Sequence, residues 1–235
     1  MSGSVRIVAL LSATAFVSSV NASVVFVDFG DSGQLTPGNY NNIVVNPPPT
    51  LNIPNAIASD GSSTGIDISV SGFFNGSNFS GPTSPSGDAG AIFPGSATRD
   101  NGFGHSLAFG TNPLTPMGTV VFSNLDLGST YDFTIFASRQ GATDNRETKY
   151  SLAGANAGEA LLNTSNNVSE VVHVLSIAPT ALGTLTLNIE PGPNNNNASR
   201  FWYIGALRMT AVPIPEPLSS SVLLASLTLG LLRRR

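Results

Sequence analysis

At 235 residues and 41% apolar content, the chain is long enough to bury a core and too apolar to be a disordered tail. It has no cysteine, which excludes disulfides, thiolate metal centres and cysteine nucleophiles. Only 10% of residues are charged, and between the two terminal segments six basic residues face thirteen acidic ones, a net of −7. Such a balance excludes the basic stripe of a nucleic-acid interface and gives the domain no attraction to anionic lipid.

The N-terminus has the layout of a secretory signal peptide, residues 1–22. Arg6 precedes an uncharged apolar run, and Val20-Asn21-Ala22 puts small residues where a signal peptidase reads them, so cleavage is expected between Ala22 and Ser23. Residues 23–212 then form one candidate domain.

Strand patterns dominate that domain. Residues 23–30 are rich in β-branched and aromatic side chains and stop at Gly30. Further strand-like runs cover 65–74, 118–125, 131–138, 147–153, 170–177, 183–190 and 201–210. Period-2 alternation is cleanest at Leu185, Leu187 and Ile189 against Thr184, Thr186 and Asn188. Residues 153–163 resemble a helical turn, against which Gly154 and Gly158 argue. Residues 75–100 read as a long Gly/Ser/Pro-rich loop, and the four asparagines at 194–197 as an exposed turn. Many short strands separated by turn signals predict an all-β fold, a single β-sandwich or jelly roll.

The densest polar segment is 138–150, expected as a hairpin between two strands. It holds three of the six basic residues of the domain. Arg139 and Arg146 suit bidentate grip on a sugar hydroxyl or a carboxylate, and Asp144 and Asn145 offer oxygen and amide groups to a sugar, or oxygen ligands to calcium. The plainer reading is a turn, with Arg139 paired to Asp144 or Glu147. Trp202, the lone tryptophan, either stacks on a sugar ring or anchors the core. Asp28 and Asp31 are candidates for a structural calcium, and otherwise for turn caps; no other cofactor is implied.

Catalytic patterns are sparse. Residues 61–65 match G-x-S-x-G, but a strand pattern follows where a helix is required, so the match reads as chance. His105 and His173 are too few and too far apart for a recognisable metal motif. The expectation is a non-enzymatic binding domain. The alternatives are a secreted esterase or glycosidase, or a purely structural envelope module.

The C-terminal segment, 213–235, is a second address. Pro215-Glu216-Pro217 breaks regular structure, fifteen uncharged residues follow from Leu218 to Leu232, and Arg233, Arg234 and Arg235 end the chain. The arginines are expected to stay cytoplasmic, with the domain facing outward. The apolar run is shorter than the roughly 20 residues of a comfortable span, which favours a temporary hold. This order resembles the PEP-CTERM sorting signal of Gram-negative bacteria. The resemblance covers the tail alone. It implies a transient inner-membrane anchor, with Pro215, Glu216 and Pro217 as the recognition motif and Arg233 to Arg235 as the stop-transfer cluster. It also implies an exosortase-type processing enzyme as partner and a surface or matrix destination among exopolysaccharide. Separately, residues 131–154 together with Phe201-Trp202-Tyr203 resemble the galactose-binding-like jelly rolls, from which no ligand residue is carried over.

Overall fold

The computed structural model describes residues 23–46 and 49–215. The predicted signal segment up to Ala22, and Glu216, Pro217 and Arg233 to Arg235 of the tail, lie outside these residues. Among the described residues no helix is long and apolar enough to cross a membrane.

In chain order the elements are β1 (Val24–Gly30), β2 (Tyr40–Val44), β3 (Asn52–Ile53), β4 (Asp67–Ser71), α1 (Gly87–Ile92), α2 (Gly95–Thr98), β5 (Gly102–His105), β6 (Gly118–Ser123), β7 (Ser129–Phe136), β8 (Glu147–Ala153), β9 (Ala157–Asn163), β10 (Val172–Ile177), β11 (Leu185–Pro191), β12 (Phe201–Ile204) and β13 (Ala206–Pro213). The fold is all-β and sandwich-like. One sheet runs β10-β7-β13-β1-β2 and the other β3-β4-β6-β11-β8-β9, while β5 and β12 pair separately. Most ladders are antiparallel, but β2 joins β1 in parallel.

The alternation that predicts the strands also builds the core. Val25, Val27 and Phe29 of β1 and Phe133 and Ile135 of β7 face Leu185, Leu187 and Ile189 of β11 and Val120 and Phe122 of β6 in one buried cluster. Phe122 and Phe133 meet across the two sheets at 5.4 Å between ring centroids. Each such side chain contributes about 1.5–3 kcal/mol by leaving water. At one edge Tyr131 Oη accepts the Asp126 N–H at 2.8 Å, pinning the turn into β7.

Three expectations change, and at 153–163 no helical turn forms, as Gly154 and Gly158 imply. Residues 201–210 are not one strand: at Gly205 the chain leaves the β5 ladder and enters the five-stranded sheet, its N–H donating to Phe136 O at 2.9 Å and its carbonyl accepting Phe29 N–H at 2.8 Å. Residues 138–150 are not a hairpin, because β7 and β8 belong to different sheets; the segment is an arch from one sheet to the other. The region around 153–163 is a β-hairpin rather than a helical turn, with β9 pairing β8 throughout. The 75–100 segment carries α1 and α2; Ala89 and Ala97 on these helices and Phe93 between them bury against Phe136 and Ala206 on the outer face of the five-stranded sheet.

Candidate functional site

The arch between β7 and β8 is held from both sides. As β7 ends, the buried Asn101 side chain takes both backbone groups of Ser138, donating to its carbonyl at 2.8 Å and accepting its N–H at 3.1 Å. Arg139 N–H then donates to Thr164 O at 2.7 Å, and Gln140 N–H to Ser80 O at 2.6 Å. Towards β8, Arg146 N–H donates to Ser165 Oγ at 3.0 Å, and Thr164 Oγ1 donates to the Arg146 carbonyl at 2.9 Å. The arch is therefore a fixed platform rather than a loose loop.

The asparagine run braces the same platform, so it is not merely an exposed turn. Asn195 is buried and its amide donates to Glu147 O and Phe201 O. Asn196 Oδ1 accepts the Asn145 N–H at 2.7 Å, and Asn197 Nδ2 donates to Asp144 Oδ2. Asn194 donates twice to the Glu147 carboxylate.

Arg146 is the best anchored cation. Its Nε donates to Asp144 Oδ1 at 2.8 Å, its Nη1 donates to Tyr203 Oη, and its guanidinium lies over the Phe201 and Tyr203 rings, 5.4 and 6.0 Å from their centroids. Burial works against the charge on Asp144, but the hydrogen bonds from Arg146 and Asn197 outweigh it and hold the carboxyl below its ordinary value. Burial also raises the Tyr203 phenol, against the pull of Arg146, so the phenol stays protonated. Arg139 is placed differently. One Nη donates to Gln140 O, and among the described residues no carboxylate lies within ion-pair distance of it.

Both arginines line a cleft of about 350 Å³ together with Ser77, Asn78, Phe103, Phe109, Phe201 and Tyr203. Its apolar wall is a set of packed rings: Phe109 and Phe201 meet edge-on at 5.0 Å and Phe103 and Phe201 at 5.8 Å. Phe109 is 38% exposed, so the wall reaches solvent. Asn78 is brought there by a backbone exchange with Asn101, at 3.0 and 2.9 Å, and its amide nitrogen is buried without a protein partner.

Arg139 and Arg146 line the cleft. Asp144 and Asn145 do not; they hold the arch, Asn145 Oδ1 accepting the Glu147 N–H at 2.9 Å. Trp202 is no ligand platform. It is fully buried, its Nε1–H donates to Thr115 O at 2.9 Å, and its ring meets Phe73 edge-on. Alternation along β12 puts Phe201 and Tyr203 on the cleft side and Trp202 on the other. Ser77, Asn78, Phe103, Phe109, Phe201 and Tyr203 are the cleft residues that the sequence does not single out.

Asp31 is spent on turns: one carboxylate oxygen accepts Gly33 N–H, and the other accepts from Asn46 and from Ser77. Asp28 and Asp100 are instead both buried in the interior. Burial pushes Asp28 up to about 6. Burial, and next the negative charge of Asp28, push Asp100 up to about 7 against the hydrogen bond from Asp31 N–H. Among the described residues no group of three or more His, Asp or Glu is arranged to hold a metal ion. His105 Nδ1 donates to Leu107 O at 2.8 Å, and His173 Nδ1 bonds Thr134 Oγ1 at 3.1 Å, so neither ring is bonded to a serine. Ser63 of the G-x-S-x-G match donates to Asn55 Oδ1 in a turn, with no helix following.

No protein-family model matches the chain, and no curated protein does. Among solved structures it is similar to TmCBM61 in complex with β-1,4-galactotriose, at 8% identity and TM-score 0.30, covering 62% of this chain and 84% of that one. It is also similar to the ANXUR1 extracellular domain of Arabidopsis thaliana, at 13% identity and TM-score 0.37, covering 72% of this chain and 49% of that one. A third is an exo-β-1,3-galactanase from Phanerochaete chrysosporium with galactose, at 16% identity and TM-score 0.26, covering 64% and 31%. The chain spans less than half the length of the last two. All three TM-scores fall below 0.5, so a functional assignment rests on the cleft itself.

Proposed function

We propose that this chain is an exported cell-surface or matrix protein whose β-sandwich binds carbohydrate without turning it over. The observation that carries the binding reading is the cleft, in which two guanidinium groups stand beside a solvent-reaching aromatic wall. A sugar ring has an apolar face and a rim of oxygens that accept hydrogen bonds, and the cleft offers rings to the face and guanidinium donors to the rim. Arg146 is already fixed by Asp144, Tyr203 and Phe201, so little side-chain entropy is lost when a ligand arrives.

The non-catalytic reading is supported by the chemistry around the cleft. Paired acids or a Ser-His-Asp set are what glycan hydrolysis and ester cleavage need. Among the described residues no acidic side chain lines the cleft, and Asp144 behind it has both oxygens bonded to Arg146 and Asn197.

The export reading rests on the two terminal patterns: a signal segment cut between Ala22 and Ser23, and a PEP-CTERM-like tail. In this reading the tail holds the precursor in the inner membrane until an exosortase-type enzyme cuts at Pro215-Glu216-Pro217. Pro215 is exposed just beyond β13, which suits access by such an enzyme. The ligand is then an extracellular polysaccharide.

A glycan array probed with the purified protein tests the binding reading. Wild type is expected to retain a defined set of glycans, and Phe201→Ala and Arg146→Ala to lose them while remaining folded. An array without hits would leave only the structural envelope module, and variants that bind as well as wild type would place the sugar site away from this cleft.

A further inference from the structure

We propose that the cleft selects an anionic sugar, one whose ring carries a carboxylate, as in a polyuronate. This deepens the carbohydrate-binding reading and rests on it. The argument is the donor and acceptor inventory of the cleft. A neutral sugar hydroxyl both donates and accepts, and a site that reads it well offers both kinds of group. This cleft offers chiefly donors. Arg139 contributes guanidinium N–H groups that, apart from one bond to the Gln140 carbonyl, have no protein partner among the described residues. The Asn78 amide nitrogen is buried and unpartnered, while its Oδ1 already accepts the Ser80 N–H at 3.2 Å. The Ser77 hydroxyl is committed to Asp31 at 2.8 Å. Among the described residues no Asp or Glu lines the cleft.

Charge placement points the same way. The domain carries thirteen acids against six bases, so cations are scarce and carboxylates plentiful. Arg146 and Lys149 each have an acid partner, Asp144 and Glu190. Arg139, at the cleft, has none within ion-pair distance among the described residues. An arginine fork left open beside an aromatic wall matches a planar carboxylate on a ring-shaped ligand. Arg146 then positions the ring while Arg139 takes its charge.

The test measures binding of the full chain to polygalacturonate and to the same polymer after methyl esterification, which removes the charge and keeps the sugar. Wild type is expected to bind the acid form about tenfold tighter or more, as a charge-assisted hydrogen-bonded contact implies. Arg139→Gln is expected to abolish that preference, weakening binding of the acid form far more than binding of the ester, and Arg139→Lys to restore part of it. Equal wild-type affinity for the two polymers, or a preference that survives in Arg139→Gln, overturns the anionic assignment and leaves the carbohydrate reading standing. Failure to bind either polymer or any glycan of the array overturns both.

Discussion

The Arg146 guanidinium lies 5.4 Å from the centroid of the Phe201 ring. That contact ties the arch between the two sheets to β12 and makes one wall of the cleft from segments far apart in sequence. The wall also bears on stability, since Arg146 is largely buried there and bonded on two sides.

Arg146→Ala is expected to cost about 2 kcal/mol in urea unfolding, from the lost ion pair, the Tyr203 bond and the ring contact together. Arg146→Lys is expected to recover less than half, because an ammonium cannot hold Asp144 and Tyr203 with a flat fork against Phe201. A lysine variant as stable as wild type would show that charge alone is what this position needs.

Gly104 is glycine for space. A Cβ there would collide with the Trp202 indole and crowd the Thr115 carbonyl that the indole bonds. Gly104→Ala is expected to destabilise by about 1–3 kcal/mol, as overpacking does, and to reduce glycan binding by shifting β12 and with it Phe201. Thermal unfolding of the variant checks the first effect. An unchanged melting temperature would mean that β5 and β12 separate more freely than their register implies.

Asp28 and Asp100 make the fold acid-favoured. Both carboxyls are raised from 3.8, to about 6 and about 7, chiefly by burial. The folded state therefore holds protons that the unfolded state releases, and stability falls as pH rises from about 4 to about 7. Asp100→Asn can still accept the Asp31 N–H and removes the charge. It is expected to gain about 2 kcal/mol over wild type at about pH 8 and nothing at about pH 4. A gain independent of pH would show that the carboxyl is not titrating in this window.

Mass spectrometry of the protein recovered from its native host tests the two addresses. The mature form is expected to begin at Ser23 and to lack the segment from Leu218 to Arg235. A membrane fraction holding the chain with that segment intact would make the tail a permanent anchor.

Much of the sandwich was legible in the sequence because half-buried strands alternate. Leu185, Leu187 and Ile189 all lie at the core, as their spacing implies. The missed elements lack that signal. β9 is an edge strand with Leu162 its one fully buried position and Ala, Glu and Leu in its sequence, so it reads as a weak helix. β5 is Gly-Phe-Gly-His, and its glycines read as a loop although Phe73 and Trp202 leave no room for side chains at 102 and 104. At the site, Arg139 and Arg146 stood out because bases are rare in this chain. Asn78 and Phe109 could not stand out, since Asn101 and the packing of rings bring them to the arginines only in three dimensions. Trp202 was the misleading signal: the aromatic tripeptide does face the site, but strand alternation turns its two outer residues, not the middle one, towards the cleft.

The most direct measurement is an NMR titration of the isotope-labelled protein with the tightest oligosaccharide from the array. The account predicts saturable shifts concentrated at Ser77, Asn78, Phe109, Arg139, Arg146 and Phe201. Shifts confined to another surface, with these six unmoved, would contradict it.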